Sequence, residues 1–253
     1  IDSVTGSHGE IHNSSYMGAY LYNNYGDEDY GQVYVSMGNL WVHDNSSSGF
    51  EISENRWTDI ALDSLNVHNN TNYGMYFGYN YDDTKMTVDS ARIADNNSYG
   101  LSFQRLENGA TIDVENADIH GNTFEVYVGY IDVGSGSEIS VTNSKIYDDD
   151  GDWVVYAGYC CYTEMAGVNL DFRQNDWGAT LTAEMNAGTN PQNINLIYDY
   201  YDYTNYLPFV NYAGYVGATG STGYGGDIEI QDANGNSITD IPLSSTTLYL
   251  ALH

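Results

Sequence analysis

Asp89-Ser-Ala-Arg-Ile-Ala-Asp-Asn-Asn-Ser-Tyr-Gly-Leu-Ser-Phe103 decides how this chain folds, because the chain repeats it. One unit earlier stands Asp63-Ser-Leu-Asn-Val-His-Asn-Asn-Thr-Asn-Tyr-Gly-Met-Tyr-Phe77, and one unit later Glu115-Asn-Ala-Asp-Ile-His-Gly-Asn122. The apolar residue at the centre of the phrase recurs as Val42, Val67, Ile93, Ile119, Ile146 and Phe172. The intervals are 25, 26, 26, 27 and 26 residues. A period of that size marks supersecondary units stacked on one another.

Within an expected β-helix domain of residues 31–211, each unit from about 31 to 177 holds three short runs that alternate apolar and polar residues. The first run supplies Val33/Val35, Ile60/Leu62, Met86/Val88, Ile112/Val114 and Ile139/Val141. The second supplies Leu40/Val42, Leu65/Val67, Ala91/Ile93, Ala117/Ile119, Ser144/Ile146 and Leu170/Phe172. The third supplies Phe50/Ile52, Met75/Phe77, Leu101/Phe103, Val126/Val128 and Val154/Tyr156. Strict alternation means strands with one buried face. Strands this short, recurring at one period, stack in parallel on their counterparts one unit away. The expected fold is therefore all-β: a right-handed parallel β-helix of three strands and about 26 residues per coil.

Three residues after each central apolar position stand Asn45, Asn70, Asn96, Asn122, Asp149 and Asn175. Stacked about 4.8 Å apart, such side chains can hydrogen-bond from coil to coil and satisfy polar groups buried in tight bends. One residue before each central position, Arg92, Asp118, Lys145 and Asp171 alternate in sign, which predicts an outward stripe of opposite neighbours. One residue after it, His43 and His68 are adjacent and Ala94 interrupts the series before His120.

Residues 1–30 read as an irregular first coil or cap, with Ile11 in the place of Val42, 31 residues ahead of it. The first residue is Ile1, which points to a processed or cropped chain. Residues 179–211 are expected to cap the far end, with a short helix over 180–187. A Gly-rich linker, 212–226, then leads to alternating strands in 227–253 around an Asn234-Gly235 turn.

Charge narrows the function classes. Six basic residues against 35 acidic ones leave a net charge of −29. Such a surface repels phosphate backbones and anionic lipids, so nucleic-acid binding is not expected. No apolar run is long enough to span a membrane. Calcium is the cation such a surface would take, and Asp148, Asp149, Asp150 and Asp152 around Gly151 are the best oxygen cluster for it. Cys160 and Cys161 are adjacent and fit no zinc or haem spacing. Asn13 and Asn69 stand in glycosylation sequons whose asparagines are not ladder positions.

The repeats resemble those of the right-handed parallel β-helix proteins related to pectate lyases, a superfamily of carbohydrate-active enzymes, surface proteins and adhesins. The finish also resembles that superfamily: Asn175-Asp-Trp-Gly178, then Ile197-Tyr-Asp-Tyr-Tyr-Asp202, then Leu207-Pro-Phe-Val210. Residues 227–253 resemble the opening strands of an immunoglobulin-like extracellular domain, or strands donated to another subunit. Enzymes of the superfamily carry clustered carboxylates with a Lys or Arg on the same face, and no such constellation stands out here. The expected function is a non-catalytic extracellular or cell-surface structural protein, a homo-oligomer or subunit of a filament or surface layer. A carbohydrate-active enzyme or polysaccharide-binding module is the alternative. A phage tail-fibre-like protein is a third.

Overall fold

The structure is a computed structural model that describes residues 3–26, 32–148, 153–158 and 165–219. Those residues form a parallel β-solenoid whose coils stack at the period the sequence sets. One sheet holds two of the three strand stacks. Its long second strand, β3 (Val33–His43), pairs along its length with β1 (Ser3–His12) and serves both stacks. From β3 one stack continues through β6 (Thr58–Asp63), β9 (Lys85–Asp89), β12 (Thr111–Glu115), β15 (Glu138–Thr142), β18 (Asn169–Asp171) and β20 (Phe209–Asn211). The other continues through β7 (Asn66–His68), β10 (Arg92–Ala94), β13 (Asp118–His120) and β16 (Lys145–Tyr147). The second sheet stacks β2 (Ala19–Tyr22), β4 (Phe50–Ser53), β8 (Met75–Tyr81), β11 (Tyr99–Leu106), β14 (Phe124–Ile131), β17 (Val155–Ala157) and β19 (Ile197–Tyr198), with the short β5 (Asn55–Arg56) also paired to β8.

The corners explain why the strands stay short. Between the first two stacks the chain turns at one left-handed residue per coil: Asn39, Ser64, Ser90, Asn116, Asn143 and Gln174, with φ of 50–62°. After the second stack it turns at Asn13, Asp44, Asn69, Asp95 and Gly121, with φ of 53–68°. Asn, Asp and Gly tolerate that region best, so the polar punctuation of the repeat is a backbone requirement. Inside, Val67, Ile93, Ile119 and Ile146 are fully buried in one column, and Phe77 stacks on Phe103 at 5.2 Å.

Three assignments made from alternation alone are corrected. Val35 rather than Val33 pairs with Ile60, so the first coil enters two residues later. Val155 and Ala157 pair with Val126 and Val128, which turns Tyr156 outward beside Tyr127. Leu170 and Phe172 belong to the first stack, because Asp171 pairs with Ser140. The interval at that coil is 31 residues, and the partner of Lys145 is Asp176 rather than Asp171. A five-residue excess lets a two-residue alternation fit the wrong stack.

At the far end apolar side chains cover the last coil. Trp177 is fully buried and stacks on Phe172, and helix α1 (Gly178–Ala187) presses Leu181 and Met185 inward, one turn apart. The cap extends past 211. Tyr212 and Tyr215 are buried, their hydroxyls bonded to Asn190 and Asn186, so residues 212–219 are part of the cap rather than linker. The expected strands of 227–253 lie outside the described residues.

Candidate functional site

The polar interior comes first, because it shows which side chains are committed. Asn45, Asn70, Asn96 and Asn122 form a continuous chain. Each Nδ2 donates to the next Oδ1 at 2.9 Å, and Asn45, Asn70 and Asn96 give their backbone N–H to the same oxygen. Beside the chain runs a column of Gly18, Gly49, Gly74 and Gly100. A Cβ on Gly74 would lie 2.8 Å from Asn96 Nδ2 and 2.7 Å from Ile93. Ladder and glycine column thus require each other.

Asp149, the next expected ladder position, lies outside the described residues, and the described partner of Asn122 is Glu125. Phe124 pairs with Tyr99, so Glu125 holds the glycine slot one coil after Gly100. It turns inward and accepts from the Asn122 backbone and from Asn122 Nδ2 at 3.0 and 2.5 Å. Its carboxyl is fully buried, and burial pushes its pKa up to about 8. Asn175 sits in another bend, accepting from Ser144 and donating to the Val141 and Phe172 carbonyls. A second ladder, Asn24–Asn55–Asn80, runs at the far edge of β4 and β8 with amide contacts of 2.8 and 2.9 Å. Sequence reasoning missed it, although Asn55 and Asn80 repeat the 25-residue interval.

The cations are nearly all engaged by their own neighbours. Arg56 lies between the rings of Tyr25 and Tyr81, at 5.6 and 5.0 Å. Arg105 lies between Tyr79 and Tyr130, at 5.9 and 5.2 Å, and also pairs with Glu107. These Tyr–Arg–Tyr sandwiches hold a delocalised cation against two aromatic faces. Arg92 stands in register between Asn66 and Asp118, yet bonds Asn66 and Asp95. Lys145 neighbours Asp118 in register and places its ammonium over Tyr147 at 4.3 Å. Arg173 grips Asp171 with two bonds, and Lys85 stands between Asp59 and Thr111.

Two surface features remain. On the second sheet the rings of Tyr73, Tyr99 and Phe124 stack at 5.4 and 5.0 Å, and those of Tyr127, Tyr156 and Tyr198 at 6.0 and 4.6 Å. Tyr99 joins the two columns at 5.1 Å from Tyr127. Ring faces turned toward each other are unavailable to a sugar, so the column presents mainly edges and hydroxyls. On the first sheet β15 and β18 match at a single residue pair, and a cleft of about 540 Å³ opens there. Asp113, Glu138 and Asp171 line it with Ser140, whose hydroxyl donates to Asp113 at 2.9 Å.

The remaining candidates are placed as follows. Asp148 is nearly buried beside Glu125, whereas Asp149, Asp150 and Asp152 lie outside the described residues, as do Cys160 and Cys161. Among the described residues no three His, Cys, Asp or Glu side chains are grouped to hold a metal ion. Asn13 and Asn69 are both exposed, at left-handed corners. Among the described residues no helix is long and apolar enough to cross a membrane. No protein-family model, no curated protein and no solved structure matches the chain.

Proposed function

We propose that this chain is a non-catalytic structural rod, displayed outside the cell or on its surface and repeated in a filament or surface layer. One observation carries the reading: the columns that run along the solenoid are satisfied by their own copies in the next coil. Asparagine binds asparagine, tyrosine stacks on tyrosine, and arginine is held between tyrosines. Side chains spent this way stiffen a shaft and leave few cations to polarise a substrate. The net charge of −29 keeps such a shaft dispersed until a specific contact joins it to a neighbour.

That contact is assigned to residues 227–253. Thr219, the last described residue, is tied to Asn186 of α1 at the capped end, which supports a contact made from that end. Electron micrographs of the native material test the reading: filaments or lattices are expected, and dispersed single particles would end it. Threefold particles would favour a tail-fibre-like protein. Deleting 227–253 should abolish assembly, and assembly that survives deletion would remove those strands from the mechanism.

The cleft favours one second reading, a polysaccharide-binding or carbohydrate-active solenoid. Asp113 and Asp171 lie two rungs apart, about 10 Å by strand spacing, near the upper end of the range for paired glycosidase carboxylates. Three carboxylates would favour a neutral chain over an acidic one. A panel of polysaccharides, with and without calcium, separates the readings, because cleavage of any of them replaces the structural proposal.

A further inference from the structure

The histidine column of the first coils is longer and more ordered than the sequence suggested. His12, His43 and His68 occupy successive rungs, since His12 pairs with His43 and His43 with His68. Their rings are nearly parallel, 6° and 2° apart, with centroids 5.3 and 4.8 Å apart. Only the middle ring meets carboxylates at both nitrogens. His43 Nε2 lies 2.8 Å from Glu10 and Nδ1 lies 2.6 Å from Asp44. Ionised carboxylates only accept, so both nitrogens must donate, and His43 is an imidazolium. A cation sandwiched between two aromatic faces is stabilised when those faces are neutral and repelled when they are charged.

We propose that these three rings form a proton-sensitive column, in which His43 carries the charge, His68 stays neutral beside it, and a proton added to His68 on acidification loosens β1 and β3 from the coil below. The other groups facing the column agree. Asp44 and Glu10 sit at the middle ring, and hydrogen bonding to Asp44 raises the pKa of His43. His68, one rung on, is partly buried and faces His43 and Arg92, with Asp44 and Asp95 opposing them. Burial and those two cations lower its pKa. The two signs make stability bell-shaped. Protonation of His43 is favoured by the fold and is lost as pH rises through its raised pKa. Protonation of His68 is disfavoured, so stability is lost as pH falls below the ordinary histidine value.

Histidine-selective NMR titration of the full chain tests this without any substitution. His43 should titrate above its ordinary value and His68 below it, and in H43F, or in H43Q should H43F fold poorly, the His68 midpoint should rise. Amide exchange along β3, corrected for its intrinsic pH dependence, should be slowest near the ordinary histidine value and speed up several-fold as the pH falls about one unit below it, and H68F should remove that acceleration. A common midpoint for His43 and His68, a His68 midpoint that ignores substitution of His43, or wild-type exchange in H68F would overturn the proposal.

Discussion

Glu125 closes the asparagine ladder by accepting both the backbone N–H and the side-chain amide of Asn122, the two bonds that an asparagine oxygen supplies in each earlier coil. The substitution of an acid for the amide oxygen has a thermodynamic consequence. A carboxyl ordinarily near 4.5 is pushed up to about 8 by burial. Between those values the folded chain binds more protons than the unfolded chain, so stability falls as pH rises through the window. The full loss is roughly 3–5 kcal/mol above about pH 8. Asp199, raised to about 6 by burial, adds a loss of the same sign that ends lower. E125Q, which keeps one acceptor without the charge, should flatten the dependence between about pH 6 and 9, as read by urea denaturation. An unchanged slope would mean that Glu125 does not titrate in that range.

Asn96 receives two bonds from Asn70 and gives two to Asn122. Asn96→Ala would strand the buried N–H donors of Asn70 and leave the Asn122 oxygen with only the backbone N–H of residue 96, at a cost of about 2–4 kcal/mol. Asn97→Ala is the control. That side chain is exposed and lies off the left-handed corners, so its loss should cost under about 1 kcal/mol. Chemical denaturation of both variants decides whether the ladder, rather than asparagine content, stabilises the coils.

The period of the asparagines was legible because nothing intervenes between Asn45 and Asn122 except whole coils. The misplacement of Asn175 and Asp171 has a physical source. Leu170/Phe172 alternates just as Ser144/Ile146 does, and alternation identifies a strand's faces, not its stack. The same ambiguity hid the outward turn of Tyr156, since Val154/Tyr156 and Val155/Ala157 are both alternating pairs. Glu125 was illegible for another reason: nothing in a local window says that an acid in a glycine column will turn inward. His12 was readable in principle, being one residue after Ile11, as His43 is after Val42. The Tyr–Arg–Tyr sandwiches were readable in principle too, because Tyr79, Arg105 and Tyr130 stand in register on β8, β11 and β14 at intervals of 26 and 25 residues.

Gly74 tests the packing beside the ladder. A methyl group there would meet Ile93 Cγ2 at 2.7 Å and both Asn96 Nδ2 and the Gly100 carbonyl at 2.8 Å. Two of those three atoms belong to the hydrogen-bonded frame and have little room to move, so Gly74→Ala should destabilise by about 2–4 kcal/mol. Gly6 has nothing within 4 Å of the same built atom, and G6A should be neutral within about 0.5 kcal/mol. Thermal melts of the pair separate a steric requirement from a general intolerance of alanine in the repeat.

Asp63, Asp89 and Glu115 stand in register on three successive strands, all exposed. Strand spacing puts these like charges about 4.8 Å apart at the backbone, an arrangement that is mildly destabilising. Asp89 is held below the usual carboxylate range by hydrogen bonds from Asn116 and Ser90, so it remains charged between its neighbours. The repulsion acts through solvent and is screened over about 10 Å at 0.1 M salt. Adding salt should therefore raise the melting temperature of the wild type, in keeping with its net charge of −29. Glu115→Lys would turn one repulsive contact with Asp89 into an attractive one, worth about 0.2–1 kcal/mol at low ionic strength. The advantage should shrink as salt is added, because screening removes the repulsion from the wild type and the attraction from the variant. A gain that persisted undiminished in 1 M salt would place the effect in packing of the lysine stem rather than in charge.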